Sequence, residues 1–195
     1  MYHISNDHRA KASALKIVCG LITYAQSKPL SEITVTSLLR VARVSRSTFY
    51  RLFDNVIDVL EYECDRITYQ ILESKGNLST FHIRNFLLYL IGSLMKHANL
   101  LEILISSQRM DIFCMSFRKN LACINKHLNH IEPVDIKIAD YLNNIISVIL
   151  PVLITTWIEH GKTDTVDQVF NNAKESFHIL YMLDKYGTTD SKAVD

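Results

Sequence analysis

The side chains with chemistry to offer are concentrated in the run Ile33-Thr34-Val35-Thr36-Ser37-Leu38-Leu39-Arg40-Val41-Ala42-Arg43-Val44-Ser45-Arg46-Ser47-Thr48-Phe49-Tyr50-Arg51-Leu52-Phe53. The chemistry is hydrogen bonding to acceptors and anions. A guanidinium such as Arg46 can pair two-pronged with a guanine edge. Ser47 and Thr48 are small, so a surface carrying them can approach closely, and the Thr48 methyl can meet a thymine methyl. Tyr50 and Arg51 suit phosphate. Thr34 and Thr36, with the backbone N–H groups of a helix N-terminus, can meet another phosphate.

Two short helices must position this set. The pattern predicts one over residues 35–43, capped by Thr34, and one over residues 46–53, capped by Ser45. A three-residue turn between them makes a helix-turn-helix. Its inward positions are Leu38, Leu39, Ala42, Val44, Phe49 and Phe53. Helices this short are not stable alone, so they must pack on longer neighbours. Those are a predicted helix over residues 7–27, with Ala14, Val18, Leu21, Ile22 and Ala25 on one face, and another over residues 56–74. In the latter, Ile57, Leu60, Cys64, Ile67 and Ile71 form a narrow seam. Arg46, Ser47, Thr48, Tyr50 and Arg51 are then expected to face outward.

About five more helices are expected beyond Gly76, so the fold class is all-α with about nine helices. Ser79 should cap a helix running to about residue 98. A short apolar piece covers 100–105, and longer helices cover 110–130, 134–160 and 164–186. The 134–160 helix is apolar almost all round (Ile138, Leu142, Ile145, Ile146, Ile149, Leu153, Trp157), which predicts burial on more than one side. Pro151 should kink it. The aromatics Phe81, Phe86, Tyr89, Phe113, Phe117 and Trp157 fill a core. Of these, Phe86, Tyr89, Phe113, Phe117 and Trp157 are the candidates for lining an effector cavity. No charged residue stands out as stranded on an apolar face.

Composition agrees with long helices and few turns. Among 195 residues there are 5 Gly and 3 Pro, and 48% are hydrophobic against 21% charged. That excludes collagen, a loop-rich disulfide scaffold and wholesale disorder. The net charge of +1 hides an asymmetry. Residues 1–55 carry eight Lys/Arg against three acids, net +5, and the remaining 140 carry 13 against 17, net −4. A basic head on a mildly acidic body points to an anionic partner for the head.

The four cysteines (Cys19, Cys64, Cys114, Cys123) share no C-x-x-C spacing and read as buried free thiols in a reducing cytosol. His127 and His130 fit no metal-ligand spacing and read as solvated helix-end histidines. No nucleophile elbow, phosphate-binding loop, dinucleotide fingerprint or zinc-protease motif occurs, so no enzyme, metal or cofactor is expected. The N-terminus lacks an apolar signal region. The greasiest stretches, 86–95 and 145–154, fall short of the ~18 apolar residues of a membrane span. A cytoplasmic protein without a membrane partner is the expectation.

On Ile33-Thr34-Val35, Ala42-Arg43-Val44-Ser45 and Ser47-Thr48-Phe49-Tyr50-Arg51-Leu52-Phe53, flanked by two long helices, residues 9–72 resemble the DNA-binding domain of the tetracycline-repressor (TetR/AcrR) family of bacterial transcription regulators. The Thr-Phe-Tyr-x-x-Phe run is the specific part, and the rest resembles the family only in architecture. The resemblance implies a homodimer on a palindromic operator in double-stranded DNA. It also implies a variable C-terminal domain that dimerises and often holds an effector.

The chain then divides into a head, 1–55, and a body, 56–195, linked by the helix that starts near 56. The last two helices are expected to pair with their symmetry mates as a four-helix bundle. The expected DNA-binding residues are Thr34, Thr36, Arg43, Ser45, Arg46, Ser47, Thr48, Tyr50 and Arg51. Two positions depart from the family pattern. Arg43 stands where Gly is usual, at a cost on the order of 1 kcal/mol if the turn is left-handed there. Val56 stands where a phosphate-binding Lys is usual. An alternative reading follows from them: a dimeric helical interaction module whose degenerate head no longer reads DNA.

Overall fold

The computed structural model describes residues 1–5, 7–73, 83–128 and 135–187. The described residues form nine α-helices: α1 His8–Ala25, α2 Val35–Ala42, α3 Arg46–Leu52, α4 Val56–Glu73, α5 Ile83–Met95, α6 Ala98–Ser106, α7 Met110–Leu128, α8 Ile136–Glu159 and α9 Val166–Gly187. A single 3-10 turn, Leu30–Glu32, stands where a plain loop is expected from sequence. The expected caps at Ser79 and the aromatic Phe81 lie outside the described residues, as do His130 and the side chain of His127.

The head forms around α1. Asp7 caps it by accepting from the Arg9 N–H at 3.3 Å. Its buried face (Ala10, Ala14, Ile17, Val18, Gly20, Leu21) is broader than the expected stripe, because α2, α3, α4 and α6 all pack on it. Gly20 is needed for the closest of these approaches. A Cβ there would lie 3.0 Å from the Ala42 Cβ and 3.1 Å from the Ala42 Cα.

Helix α4 leaves the head and packs chiefly on α7 in the body. Its buried surface is wider than a narrow seam. Val59 and Leu72 join Leu60, Cys64, Ile67 and Ile71, and Ile57 is only half-buried. Two acids, neither of which stands out in the sequence, are also buried. Asp58 (2% exposed) accepts from the Asp54 N–H at 2.8 Å at the start of α4. Glu63 (4% exposed) receives Nε and Nη2 of Arg66 at 2.7 and 2.6 Å. Glu63 is paired within one helical turn, and Asp58 also meets the Met1 ammonium at 2.9 Å, which makes their burial tolerable.

The body continues through α5, which ends three residues before the expected boundary. His97 leaves helical torsions (φ −106°, ψ 23°), and α6 starts at an angle of 71° to α5. Phe113 and Phe117 of α7 stack at 6.0 Å in the core. Helix α9 begins where Thr165 and Gln168 exchange side-chain and backbone hydrogen bonds.

Helix α8 contains Pro151, as expected, but is not buried on several sides. Ile138, Tyr141, Leu142, Ile145, Val148 and Val152 are exposed, while Asn143, Ser147, Leu150 and Ile154 face inward. Among the described residues, the neighbours of α8 leave this apolar face uncovered. Its Asp140–Glu159 segment is long and apolar enough to cross a membrane, with a mean hydropathy of 1.6. Asn143, Asn144 and Ser147 break the run of apolar residues while leaving the average hydropathy high. The cysteines also depart from expectation. Cys64 is buried, Cys114 half-buried and Cys19 exposed, because Cys19 lies on the outer side of α1.

Candidate nucleic-acid interface

The helix-turn-helix is built by its caps. Thr34 Oγ1 accepts from the Ser37 N–H at 3.1 Å, and Ser37 Oγ accepts from the Thr34 N–H at 3.1 Å, a reciprocal capping box that starts α2. Helix α2 stops because Arg43 adopts a left-handed conformation (φ 52°, ψ 45°). Its N–H closes onto the Leu39 carbonyl. Ser45 starts α3 by accepting from the Thr48 N–H at 3.2 Å. The turn is therefore Arg43-Val44-Ser45, three residues.

Apolar burial fixes which way α3 faces. Phe49, Leu52 and Phe53 are at most 1% exposed, and Leu38, Leu39 and Ala42 of α2 complete the same small core. The opposite side carries Arg46, Ser47, Tyr50 and Arg51, all exposed, with Tyr50 at 56%. Thr48 differs from expectation. It is half-buried, and its hydroxyl lies 2.9 Å from Ser45 Oγ within the capping group. Ser47 Oγ joins that group at 3.0 Å.

The exposed faces of α2 and α3 are joined by one contact. Arg46 Nη2 donates to Thr36 Oγ1 at 2.6 Å. Among the described residues this bond uses one of the five guanidinium N–H donors. Arg43 projects from the turn and Arg40 from the last turn of α2, both exposed. Thr34 is exposed, but its hydroxyl serves the cap, so the N-terminal donors of α2 are chiefly backbone N–H groups. Thr34, Thr36, Arg43, Ser45, Arg46, Ser47, Tyr50 and Arg51 are thus all exposed and Thr48 half-buried, and the Arg46 contact brings Thr36 and α3 together. Val56 is half-buried against the core at the start of α4 and offers this surface no donor.

The five candidate effector residues are dispersed. Phe86, Phe113 and Phe117 are core residues. Tyr89 donates its hydroxyl to the Ile71 carbonyl at 2.8 Å, and Trp157 Nε1 donates to the Asp164 carbonyl at 2.9 Å. None of the five lines either of two open grooves on the body. One, of about 330 Å³, lies between α5, α8 and α9 and includes Leu87, Ile91, Leu153, Phe170 and Phe177. The other, of about 800 Å³, lies between the N-terminal residues, α4 and α7.

Reading the sequence alone misses two features near the head. Gly20, like Gly92, is detectable as a glycine inside an otherwise apolar helical pattern. The N-terminal residues Tyr2 and His3, which pack onto the end of α3, leave no periodic signal.

No protein-family model and no curated protein matches the sequence. Solved structures do match its fold. Lin0861 from Listeria innocua is similar at a TM-score of 0.76 and 22% identity, over 91% of this chain and 96% of that one. A TetR transcriptional regulator from Streptococcus agalactiae 2603V is similar at a TM-score of 0.58 and 20% identity, over 85% of this chain and 93% of that one. At such identities the likeness concerns architecture. The all-helical chain, with its helix-turn-helix head and helical body, has a TetR-like fold.

Proposed function

We propose that the protein is a homodimeric, sequence-specific DNA-binding regulator of transcription, acting as a repressor that is released when an effector binds the body. The observation that carries this reading is the two-sidedness of α3. Its inner side is sealed by Phe49, Leu52 and Phe53, and its outer side offers Arg46, Ser47, Tyr50 and Arg51 with no acid between Ile33 and Phe53. A surface of this kind fits the major groove, with Arg46 reaching guanine and Ser47 permitting close approach. Tyr50, Arg51, Arg43 and the N-terminus of α2, with Thr34 and Thr36, hold phosphates. Ser45 and Thr48 support the entry of α3 as its capping pair.

The dimer is proposed through α8 and α9. Tyr141, Ile145, Val148 and Val152 of α8 and Phe177, Leu180 and Tyr181 of α9 are all exposed in the single chain. Apolar faces of this extent mark an interaction surface, and a two-fold axis through them gives a four-helix bundle with two heads. The heads then enter successive major grooves about one helical turn (~34–36 Å) apart. Release follows if an effector in 56–195 has a higher affinity for a state with altered head spacing. The groove between α5, α8 and α9, lined by Leu87, Ile91, Leu153, Phe170 and Phe177, is the apolar volume proposed for such a ligand, in place of Phe86, Tyr89, Phe113, Phe117 and Trp157.

Fluorescence anisotropy with a random-sequence duplex tests the central point. The proposal requires binding at low salt and a linear fall of log affinity with log salt. No binding at any salt would leave the interaction-module reading in its place. For the dimer, Val148→Asp should convert the sedimenting species to the 22.4 kDa monomer.

A further inference from the structure

Residues 2 and 3 form a strap that ties the end of the recognition helix to the body. Tyr2 makes an antiparallel bridge with Phe53, and the His3 N–H donates to the Leu52 carbonyl at 2.8 Å. His3 Nε2 lies 3.1 Å from Asp54 Oδ1. The C-terminal end of α3 is therefore held by main-chain bonds from a segment about fifty residues earlier in sequence.

Ahead of the strap, the Met1 ammonium lies 2.9 Å from Asp58 Oδ2 and 3.2 Å from Asp54 Oδ2, whereas the Tyr2 side chain reaches a different carboxylate, on the α7 side of α4. The Tyr2 hydroxyl donates to Asp65 Oδ2 at 2.6 Å. Lys119 of α7 donates to the same oxygen at 2.9 Å. The neighbouring Asn120 donates to the Asp65 carbonyl at 3.4 Å and to Thr68 Oγ1 at 2.7 Å. Asp65 is thus a node shared by strap, α4 and α7, with 20% of its side chain exposed.

Packing gives the strap a stiff path to the DNA-facing surface. The Tyr2 ring meets Tyr62 edge-on at 5.4 Å, Tyr62 meets Phe53 at 5.9 Å, Phe53 meets Phe49 at 5.8 Å, and Phe49 meets Tyr50 at 5.4 Å. Five rings run unbroken from the body-side node to Tyr50. Close-packed aromatic contacts of this kind resist independent movement.

We infer that Tyr2 is a positioning residue for α3: its bond to Asp65 registers the recognition helix against α4 and α7, so that a displacement of α7 reaches the head through this node. The role in DNA reading rests on the function proposed above, while the mechanical claim does not. The groove of about 800 Å³, lined by Tyr2, Glu61, Asp65, Met115, Ser116 and Lys119, opens directly over the node. Anything that shifts Lys119 acts on the strap.

The test uses the full chain with Tyr2→Phe and Lys119→Met, followed by NMR amide exchange and by duplex binding. Tyr2→Phe keeps the ring and removes one hydroxyl, a hydrogen bond to a charged group, so exchange at the His3 and Phe53 amides should rise by about ten-fold. Amides of α9 should not change. Lys119→Met, on α7, should raise exchange at the same two amides by a smaller factor, and the double variant should show no additive gain, since both act through Asp65.

In duplex binding at fixed salt, Tyr2→Phe should lower the ratio of specific to random-sequence affinity while leaving the salt slope unchanged. A uniform rise in exchange across the chain would make the strap a mere stability clasp and overturn the inference. A response to Tyr2→Phe without one to Lys119→Met would overturn the link to α7. Wild-type protein that binds no duplex would sink the DNA reading, and the exchange results would still decide the strap.

Discussion

Arg46 on α3 and Thr36 on α2 are joined by a hydrogen bond of 2.6 Å from Nη2 to Oγ1. The contact ties the exposed side of α3 to the first turn of α2 and fixes one end of the guanidinium. For Arg46→Ala the account expects discrimination at one base pair per half-site to collapse, with a loss of about 1–3 kcal/mol against the preferred base. Measured affinities on single-base operator variants check this. A uniform loss with a flatter salt dependence would reduce Arg46 to a phosphate contact, and unchanged affinity would remove it from the site.

Arg43 occupies left-handed backbone at φ 52° and ψ 45°, a region that costs a non-glycine residue roughly 1–2 kcal/mol. Arg43→Gly is therefore expected to raise the unfolding midpoint while lowering DNA affinity and reducing the salt slope by about one contact. Opposite signs in the two measurements identify a residue kept for its charge. A gain in both would mean that Arg43 contributes nothing at the interface.

Gly20 lets α1 lie against Ala42, whose Cβ, Cα and N stand 3.0, 3.1 and 3.2 Å from where a Cβ would be. Backbone atoms cannot move aside as a flexible side chain does. Gly20→Val should destabilise the head by about 1–3 kcal/mol and weaken DNA binding by displacing α2. Chemical denaturation of the variant supplies the number. An unchanged midpoint would mean that α1 and α2 are less tightly apposed.

The acid limb of the stability profile should report on Asp65. Burial alone would raise its pKa, but hydrogen bonds from Tyr2, Lys119 and Ser116 outweigh burial and hold it below the usual 3.8. A carboxylate depressed in the folded state contributes stability that is complete above its unfolded value. That stability disappears as pH falls through the folded value. Unfolding midpoints between pH 5 and pH 2 should therefore fall less steeply in Asp65→Asn than in the wild type. A parallel fall would show that the strap leaves the carboxylate unperturbed.

The helix-turn-helix was legible because its signals are local. Thr34 and Ser45 are good caps, the turn between them has three residues, and Phe49 and Phe53 stand one helical turn apart. The exposure of Arg46, Ser47, Tyr50 and Arg51 follows from that spacing. Thr48 is half-buried instead of facing outward because its hydroxyl is drawn back to Ser45, a competition between cap and surface that residue type alone does not decide. The burial of Glu63 was hidden because its partner Arg66 makes the turn look like an ordinary solvated ion pair. The strap was illegible for another reason. Tyr2 and Asp65 are far apart in sequence, and no periodic pattern links an extended pair of residues to the helix it braces.

Helix α8 teaches a related point. Apolar residues all round its axis predicted burial on several sides, yet Tyr141, Ile145, Val148 and Val152 lie open in the single chain. Sequence periodicity reports which faces need covering, and it does not report whether the cover comes from the same chain.

Selection of bound sequences from a pool of random duplexes bears most directly on the central claim, which is that the outer side of α3 reads base edges from two symmetric heads. The account predicts enrichment of an inverted repeat whose half-sites are centred about one helical turn, ~10 bp, apart. It also predicts that the Arg46→Ala protein loses the enrichment at one position in each half. Recovery of sequences no different from the starting pool, at salt low enough to hold any basic protein on DNA, would contradict it.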